Sequence, residues 1–74
     1  MKITYDKSVN AAYIYLSDNI LTGQVNKTYS CDPMEVNGMI NLDFDKSGKL
    51  IGIEVMDAAR KIPDELLSKA EVIG

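Results

Sequence analysis

The chain has 74 residues, with eight basic and eleven acidic side chains and a net charge of −3. This length fits one domain, residues 1–74, and chains of this size bury only about 60% of the surface that they expose when unfolded. The cations are few and scattered and do not indicate a phosphate-binding groove, so no nucleic-acid partner is expected. The apolar runs are far shorter than the roughly 20 residues that span a bilayer, so no membrane partner is expected.

The cysteine and histidine content limits covalent and metal chemistry. Cys31 is the only cysteine, and the sequence contains no histidine. An intrachain disulfide, a histidine-activated serine or cysteine nucleophile and a histidine-ligated zinc site are therefore excluded. Because no signal-peptide pattern is visible, we expect a cytoplasmic protein. We also expect no cofactor and favour a non-enzymatic role over an enzyme.

Period-two alternation of apolar and polar residues predicts strands over most of the chain. The predicted strands cover residues 2–6, 11–17, 24–30, 39–45 and 50–56. The first two are close enough to form a hairpin. The third is poorly hydrophobic and is predicted at a sheet edge. Between the third and fourth strands, Pro33 and Gly38 indicate a loop or an irregular edge.

Helix signals occur near the C-terminal end of the sequence. Asp57 is placed to cap a short turn over residues 58–60, and Pro63 suits the first position of a helix. This helix is too short to be stable alone in water, so it must pack on the sheet. The sequence therefore predicts an α+β fold, an antiparallel β-meander of four to five strands with a short C-terminal helix packed on the sheet.

The two faces of the predicted sheet lead to a prediction about oligomeric state. One face is expected to form the core and collects Ile3, Tyr5, Ile14, Leu16, Ile40, Leu42, Phe44, Ile51, Ile53 and Val55. A short helix can cover only part of it, so we expect a homodimer in which a second subunit covers more. The opposite face is expected to carry Tyr13, Tyr15, Met39, Leu50 and Met56, a patch apolar enough to indicate an interface. The predicted interface residues are Tyr13, Tyr15, Tyr29 and Met56, with edge pairing near residues 25–29.

The window from residue 43 to residue 54 also matches the ligand spacing of an EF-hand calcium loop. The matching residues are Asp43, Asp45, Ser47, Gly48 and Glu54. An EF-hand loop lies between helices, whereas both flanks here alternate as strands, and the apolar Ile51 occupies the ninth position. A hairpin with its turn at residues 45–48 is therefore favoured. A divalent-metal or metal-dependent hydrolytic site at Asp43, Asp45 and Glu54 remains the alternative.

Two segments, MKITYDKSVNAAYIYLSD and INLDFDKSGKLIGIEVMDAARKI, resemble the small prokaryotic family known as domain of unknown function 2283. The matching features are Tyr5 with Asp6, residues 12–16, residues 42–45, Gly48, residues 52–54, and Asp57 with Ala58. Residues 19–38 are longer than the family pattern, and Asn10 stands where the family often has an acid. The resemblance implies a compact β-meander with a C-terminal helical segment.

The same resemblance implies no activity and no catalytic or binding residue, because the family has no established function. Small members of this kind are sometimes proposed to sit beside toxin-like genes. An acidic chain of this size suits the role of an antitoxin-like partner that binds a small basic protein.

Overall fold

Six strands form one open sheet in the computed structural model, which describes residues 1–21 and 23–74. The strands are β1 Lys2–Asp6, β2 Ala11–Tyr15, β3 Lys27–Ser30, β4 Ile40–Phe44, β5 Leu50–Met56 and β6 Glu71–Val72. Across the sheet their order is β3-β4-β5-β2-β1-β6. Three one-turn helices complete this part of the chain: α1 Pro33–Val36, α2 Ala58–Lys61 and α3 Asp64–Leu67.

The α+β class agrees with the structure, but the sheet is mixed and has six strands, so the purely antiparallel meander is wrong. β1 and β6 run parallel, with Thr4 opposite Glu71 and Tyr5 opposite Val72. β2 pairs with β5 and not with β3, so the sheet joins a β1–β2 hairpin to a β3–β4–β5 meander. Two residues are too few for an alternating pattern, and for this reason β6 could not be predicted from the sequence.

The β4–β5 hairpin has the turn that the sequence predicts at residues 45–48. The Gly48 amide donates to the Asp45 carbonyl at 2.9 Å, and Gly48 has a φ of 84°, which glycine adopts without strain. The Asp45 side chain accepts hydrogen bonds from the backbone amides of Ser47 and Lys49 at 2.9 and 3.0 Å. The carboxylate of Asp45 therefore closes its own turn.

A β-bulge follows this turn and changes one predicted face. Phe44 lies opposite Leu50 and Asp43 lies opposite Gly52, so Ile51 is an extra residue in β5. Residues directly opposite each other in a ladder point to the same face. Leu50 therefore lies on the same face as Phe44, and its predicted place beside Tyr13 is wrong.

Helix α1 replaces the loop predicted between β3 and β4. The Asp32 side chain accepts a hydrogen bond from the Met34 amide at 3.0 Å, and Pro33 takes the first helical position. Asn37 ends the helix in the left-handed conformation with a φ of 51°. None of the helices in the described part of the chain has the length and apolarity to cross a membrane.

Helices α2 and α3 pack on one face of the sheet, as predicted for the C-terminal helical segment. The buried core cluster consists of Ala12, Val55, Ala58 and Ile62. Partly buried apolar residues pack against it, namely Tyr5, Ile14, Ile40, Ile53, Leu66 and Leu67. The core therefore lies under the two helices, over the middle of the sheet.

A side-chain clasp joins the β1–β2 turn to the start of α2. The predicted capping role of Asp57 is wrong, because Asp57 takes a left-handed φ of 56° and its carboxylate accepts from Asn10 Nδ2 at 3.1 Å and Arg60 Nε at 2.6 Å. Asn10 caps α2 instead, since its Oδ1 accepts from the Ala59 amide at 3.0 Å and from the Tyr5 hydroxyl at 2.9 Å. Sequence separation hid this cap, because Asn10 and Ala59 are 49 positions apart.

Replacement of Asn10 by glycine and by alanine separates the contribution of its side-chain hydrogen bonds from that of its left-handed backbone. Asn10→Gly retains the left-handed backbone, with a φ of 54°, but loses three side-chain hydrogen bonds, so we expect the free energy of unfolding to fall by about 1–3 kcal/mol. Asn10→Ala adds about 1 kcal/mol of backbone strain. Urea unfolding of both variants measures the difference, and a glycine variant as stable as the parent would contradict the clasp.

Candidate interaction surface

The strand register divides the sheet into two faces of different character. Directly opposite residues share a face, so Ile3, Ile14, Ile53, Leu42 and Tyr29 form one apolar row across five strands. Tyr5, Ala12, Val55 and Ile40 form a second row on the same face. We call this the helix face, because α2 and α3 pack on it. The other side, which we call the tyrosine face, carries Tyr13 and Tyr15.

The apolar residues of the helix face are not equally buried. Ile3 of this face lies outside the core cluster and is nevertheless buried. The apolar residues outside the cluster that keep more exposed surface are what we call the open patch: Tyr29, Leu42, Phe44 and Leu50, together with Leu16, which directly follows β2. Leu16 is 44% exposed, Tyr29 54% and Leu50 37%, whereas Leu42 and Phe44 are half-buried. Four of these residues adjoin across the strands, since Tyr29 lies opposite Leu42 and Phe44 lies opposite Leu50.

On the tyrosine face, a hydrogen-bonded group joins three strands. The Tyr13 hydroxyl donates to Asp43 Oδ2 at 2.6 Å, and the Thr28 hydroxyl donates to Asp43 Oδ1 at 2.6 Å. The Tyr13 ring covers Gly52, where any Cβ would overlap the tyrosine hydroxyl. Tyr15 packs edge-to-face on Tyr13 with the ring centroids 4.8 Å apart. Glycine at position 52 thus makes room for the ring that reaches Asp43.

The three carboxylates predicted as a metal site each have separate hydrogen-bond partners. Asp43 is held by Tyr13 and Thr28, Asp45 accepts from the amides of its own turn, and Glu54 accepts from Asn41 Nδ2 at 2.9 Å. Within residues 1–21 and 23–74, no three metal-ligating side chains come together. The EF-hand spacing therefore corresponds to a hairpin whose polar side chains serve the sheet and the turn.

The four predicted interface residues lie on both faces of the sheet. Tyr13, Tyr15 and Met56 belong to the tyrosine face, because they lie opposite Glu54, Gly52 and Ala11. Tyr29 belongs to the helix face, opposite Leu42, and is more than half exposed. The four residues therefore define two surfaces on opposite sides of one sheet.

The open patch adds residues that the sequence placed in the core. Alternation correctly assigned Leu42 and Phe44 to the apolar face. It carries no information about which part of that face is buried. The short predicted helix was the one available signal, since a single helix covers only a stripe of a sheet. Because of the β-bulge, Leu50 also belongs to the helix face, whereas alternation placed it on the tyrosine face.

The environment of Tyr13 favours its protonated form. Burial raises the pKa of Tyr13 well above its usual range, and the hydrogen bond to the Asp43 carboxylate and the charge of that carboxylate raise it further. The neighbouring Glu54 carboxylate acts in the same direction. Tyr13 is thus a hydrogen-bond donor fixed to Asp43 and not a source of a phenolate.

We expect Tyr13 to keep its proton at pH values where a free tyrosine, with a pKa of about 10, has lost it. Ultraviolet titrations of the parent and of Tyr13→Phe should therefore coincide until well above that pH. The contribution of Tyr13 to stability is complete below about pH 10 and is lost as the pH rises further, because only the unfolded chain then releases the proton. Stability should accordingly fall less steeply above pH 10 in Tyr13→Phe.

Gly52→Ala provides the contrasting variant for this titration. The added methyl group displaces the Tyr13 ring and breaks its bond to Asp43, so Tyr13 should then ionise nearer its ordinary pKa. A difference between Gly52→Ala and the double variant that also carries Tyr13→Phe would appear near pH 10. If the titrations of the parent and of Tyr13→Phe already differ near pH 10, the hydroxyl of Tyr13 does not resist ionisation and this prediction is wrong.

A family model with the description "Protein of unknown function (DUF2283)" matches residues 2–58. Comparison with curated proteins and with solved structures gave no match. The matched region runs from β1 to the first residue of α2 and includes Asn10 and Asp57. It contains strands β1 to β5, whereas α3 and β6 lie beyond it. Since the match covers well over half of the chain, the resemblance seen in the sequence is confirmed, and the chain belongs to the DUF2283 family.

Proposed function

We propose that this chain is a non-enzymatic protein-interaction domain that forms a homodimer. The observation that supports it most directly is the open patch, a group of partly exposed apolar residues on the sheet face on which the chain's own helices pack. The polar chemistry agrees, because Asp43, Asp45 and Glu54 each accept hydrogen bonds from different partners. This arrangement favours an interaction role over the alternative metal-binding or hydrolytic site.

The small core supports association as a source of additional stability. The buried hydrophobic residues in the described part of the chain are Ile3, Ala12, Ile51, Val55, Ala58 and Ile62, and two of these are alanine. Domains of this size gain stability from disulfides, metals or oligomerisation. With Cys31 as the sole cysteine, an intrachain disulfide is excluded, so burial against a second subunit is the route that the chain's surface offers.

We further propose that the tyrosine face binds a small basic protein, in the manner of an antitoxin-like partner in the cytoplasm. The chain is acidic, and this face combines the carboxylates of Asp43 and Glu54 with the rings of Tyr13 and Tyr15. Lys2 Nζ lies 5.2 Å from the centroid of the Tyr15 ring, so the ring already accepts a cation within the chain. Arginine and lysine side chains of a partner would be attracted here both by the carboxylates and by the tyrosine rings.

The homodimer is tested by sedimentation velocity over the micromolar concentration range. We expect a species of twice 8.2 kDa that dissociates on dilution. Because an apolar contact is not screened by salt, raising the ionic strength should leave the dimer intact. A species of 8.2 kDa throughout the concentration range would refute the dimer.

The basic partner is tested by affinity capture from the native host with matched bait proteins. The parent chain should retain one basic polypeptide in stoichiometric amount and release it at high salt. A bait carrying Asp43→Asn and Glu54→Gln should retain at least about tenfold less, because two charges are lost while side-chain shape is kept. Recovery of no such polypeptide, or equal recovery by both baits, would contradict the assignment.

A further inference from the structure

We propose that Asn37, which directly precedes Gly38, is a site of spontaneous deamidation, and that Lys61 slows this reaction by holding helix α1 closed. The modification is covalent and requires water but no enzyme. It goes beyond the proposed function and does not depend on it. Four observations support the site: the residue that follows Asn37, the exposure of Asn37, the weak packing of α1 and the contact that Lys61 makes with the end of this helix.

Deamidation begins when the backbone nitrogen of Gly38 loses its proton to solvent and attacks the side-chain carbonyl carbon, Cγ, of Asn37. A carbon–nitrogen bond forms, the bond between Cγ and the side-chain amide nitrogen breaks, and ammonia leaves after taking up a proton from solvent. One water molecule then opens the five-membered succinimide at either carbonyl, which yields aspartate or isoaspartate. Glycine favours the attack because it has no Cβ beside the nitrogen and adopts the required backbone angles freely.

Asn37 is the only one of the five asparagines that precedes a glycine. The others precede alanine, isoleucine, lysine and leucine, in the order Asn10, Asn19, Asn26 and Asn41. Asn10 and Asn41 are held by side-chain hydrogen bonds to Asp57 and Glu54. Asn19 and Asn26 are exposed, as Asn37 is, so they serve as controls for exposure within the same chain.

The folded backbone keeps the reacting atoms of Asn37 and Gly38 apart. Asn37 has a φ of 51° and a ψ of 52°, and this ψ directs the Gly38 nitrogen away from the Asn37 side chain. The amides of both residues donate to the Pro33 carbonyl, that of Gly38 at 3.2 Å. The succinimide ring can therefore close only after these bonds break and Asn37 leaves the left-handed conformation.

Helix α1 offers little resistance to this opening. It consists of a single turn, none of its residues is buried, and Met34 is 90% exposed. One turn of helix is not stable by its own hydrogen bonds, and segments with few buried contacts open locally at a lower free-energy cost than the whole domain. We therefore expect the reaction to proceed from a locally open state of α1.

Lys61 links the end of α1 to α2. Its Nζ donates to the Val36 carbonyl at 2.7 Å in a partly buried position. Its Cε lies so close to Gly38 that a Cβ added there would approach it to 2.9 Å. A hydrogen bond from a charged donor is stronger than one between neutral groups. Opening of α1 breaks this bond, so the bond lowers the open fraction of α1 and with it the rate of deamidation.

The test follows deamidation of the full chain by mass spectrometry during incubation in water enriched in heavy oxygen. Fragmentation of the peptides assigns the incorporated oxygen to individual asparagines and distinguishes isoaspartate from aspartate. In the folded parent, we expect Asn37 to convert ahead of Asn19 and Asn26, and the rate to rise with pH because the attacking nitrogen must lose its proton. In urea, where α1 is unfolded, conversion of Asn37 should be faster.

Lys61→Met removes the bond to Val36 and keeps an unbranched apolar side chain. We expect this variant to convert at least about tenfold faster than the parent when folded, and at the rate of the parent in urea. Lys69→Met is the matched control, because it removes the same charge at an exposed position outside α1 and α2, and it should convert like the parent. Asn37→Gly keeps the left-handed backbone without strain and should abolish the signal. Circular dichroism confirms that each variant is folded.

Each part of this inference has an outcome that would overturn it. Conversion of Asn26 as fast as Asn37, or no conversion of Asn37 in urea, would overturn the site. Equal rates for the folded parent and folded Lys61→Met would overturn the protective role of Lys61. If Lys61→Met does not fold, the parent alone still decides whether the fold protects Asn37, because equal rates in the presence and absence of urea would overturn that protection.

Discussion

The clasp between Asn10 and Asp57 is the interaction on which the arrangement of this chain depends. Both residues adopt a left-handed backbone, and the side chain of Asn10 bonds at once to Tyr5, Asp57 and the amide of Ala59. These bonds fix the end of the β1–β2 hairpin to the start of α2. The first helical turn is thereby held over Ala12 and Val55, and the position of α3 and β6 follows along the chain.

This placement decides which part of the apolar face lies under the helices. Helices that start at the clasp pack on the cluster around Ala12 and Val55, whereas Leu42 and Phe44 lie outside that cluster and are half-buried. On the reverse side, the Tyr13 ring lies over Gly52 and reaches Asp43, so that face needs no helical cover. The two surfaces lie on opposite sides of one sheet, so the homodimer proposed on one would leave the other free for the proposed basic partner.

Alternation and turn chemistry predicted the strands and both faces because these depend on residues close together in the chain. The hairpin at Gly48 is the clearest example, since the apolar period continued through the EF-hand spacing and excluded a loop around an ion. The same reasoning misplaced Leu50, because an extra residue in a β-bulge moves the preceding residue of the strand to the opposite face of the sheet. It also misread Asp57, whose nearest neighbours suit a helix cap while its actual partner is Asn10.

By itself, the sequence determined the family, the α+β class, the strand periods and the acidic, histidine-free chemistry that limits what this protein can do. Only the tertiary structure decided that β6 pairs in parallel with β1, that Asn10 caps a helix 49 positions away, and that the open patch exists. The physical reason is the sequence separation of the interacting residues. Backbone preferences and side-chain periods depend on neighbouring residues, whereas burial of a sheet face depends on where distant segments of the chain pack.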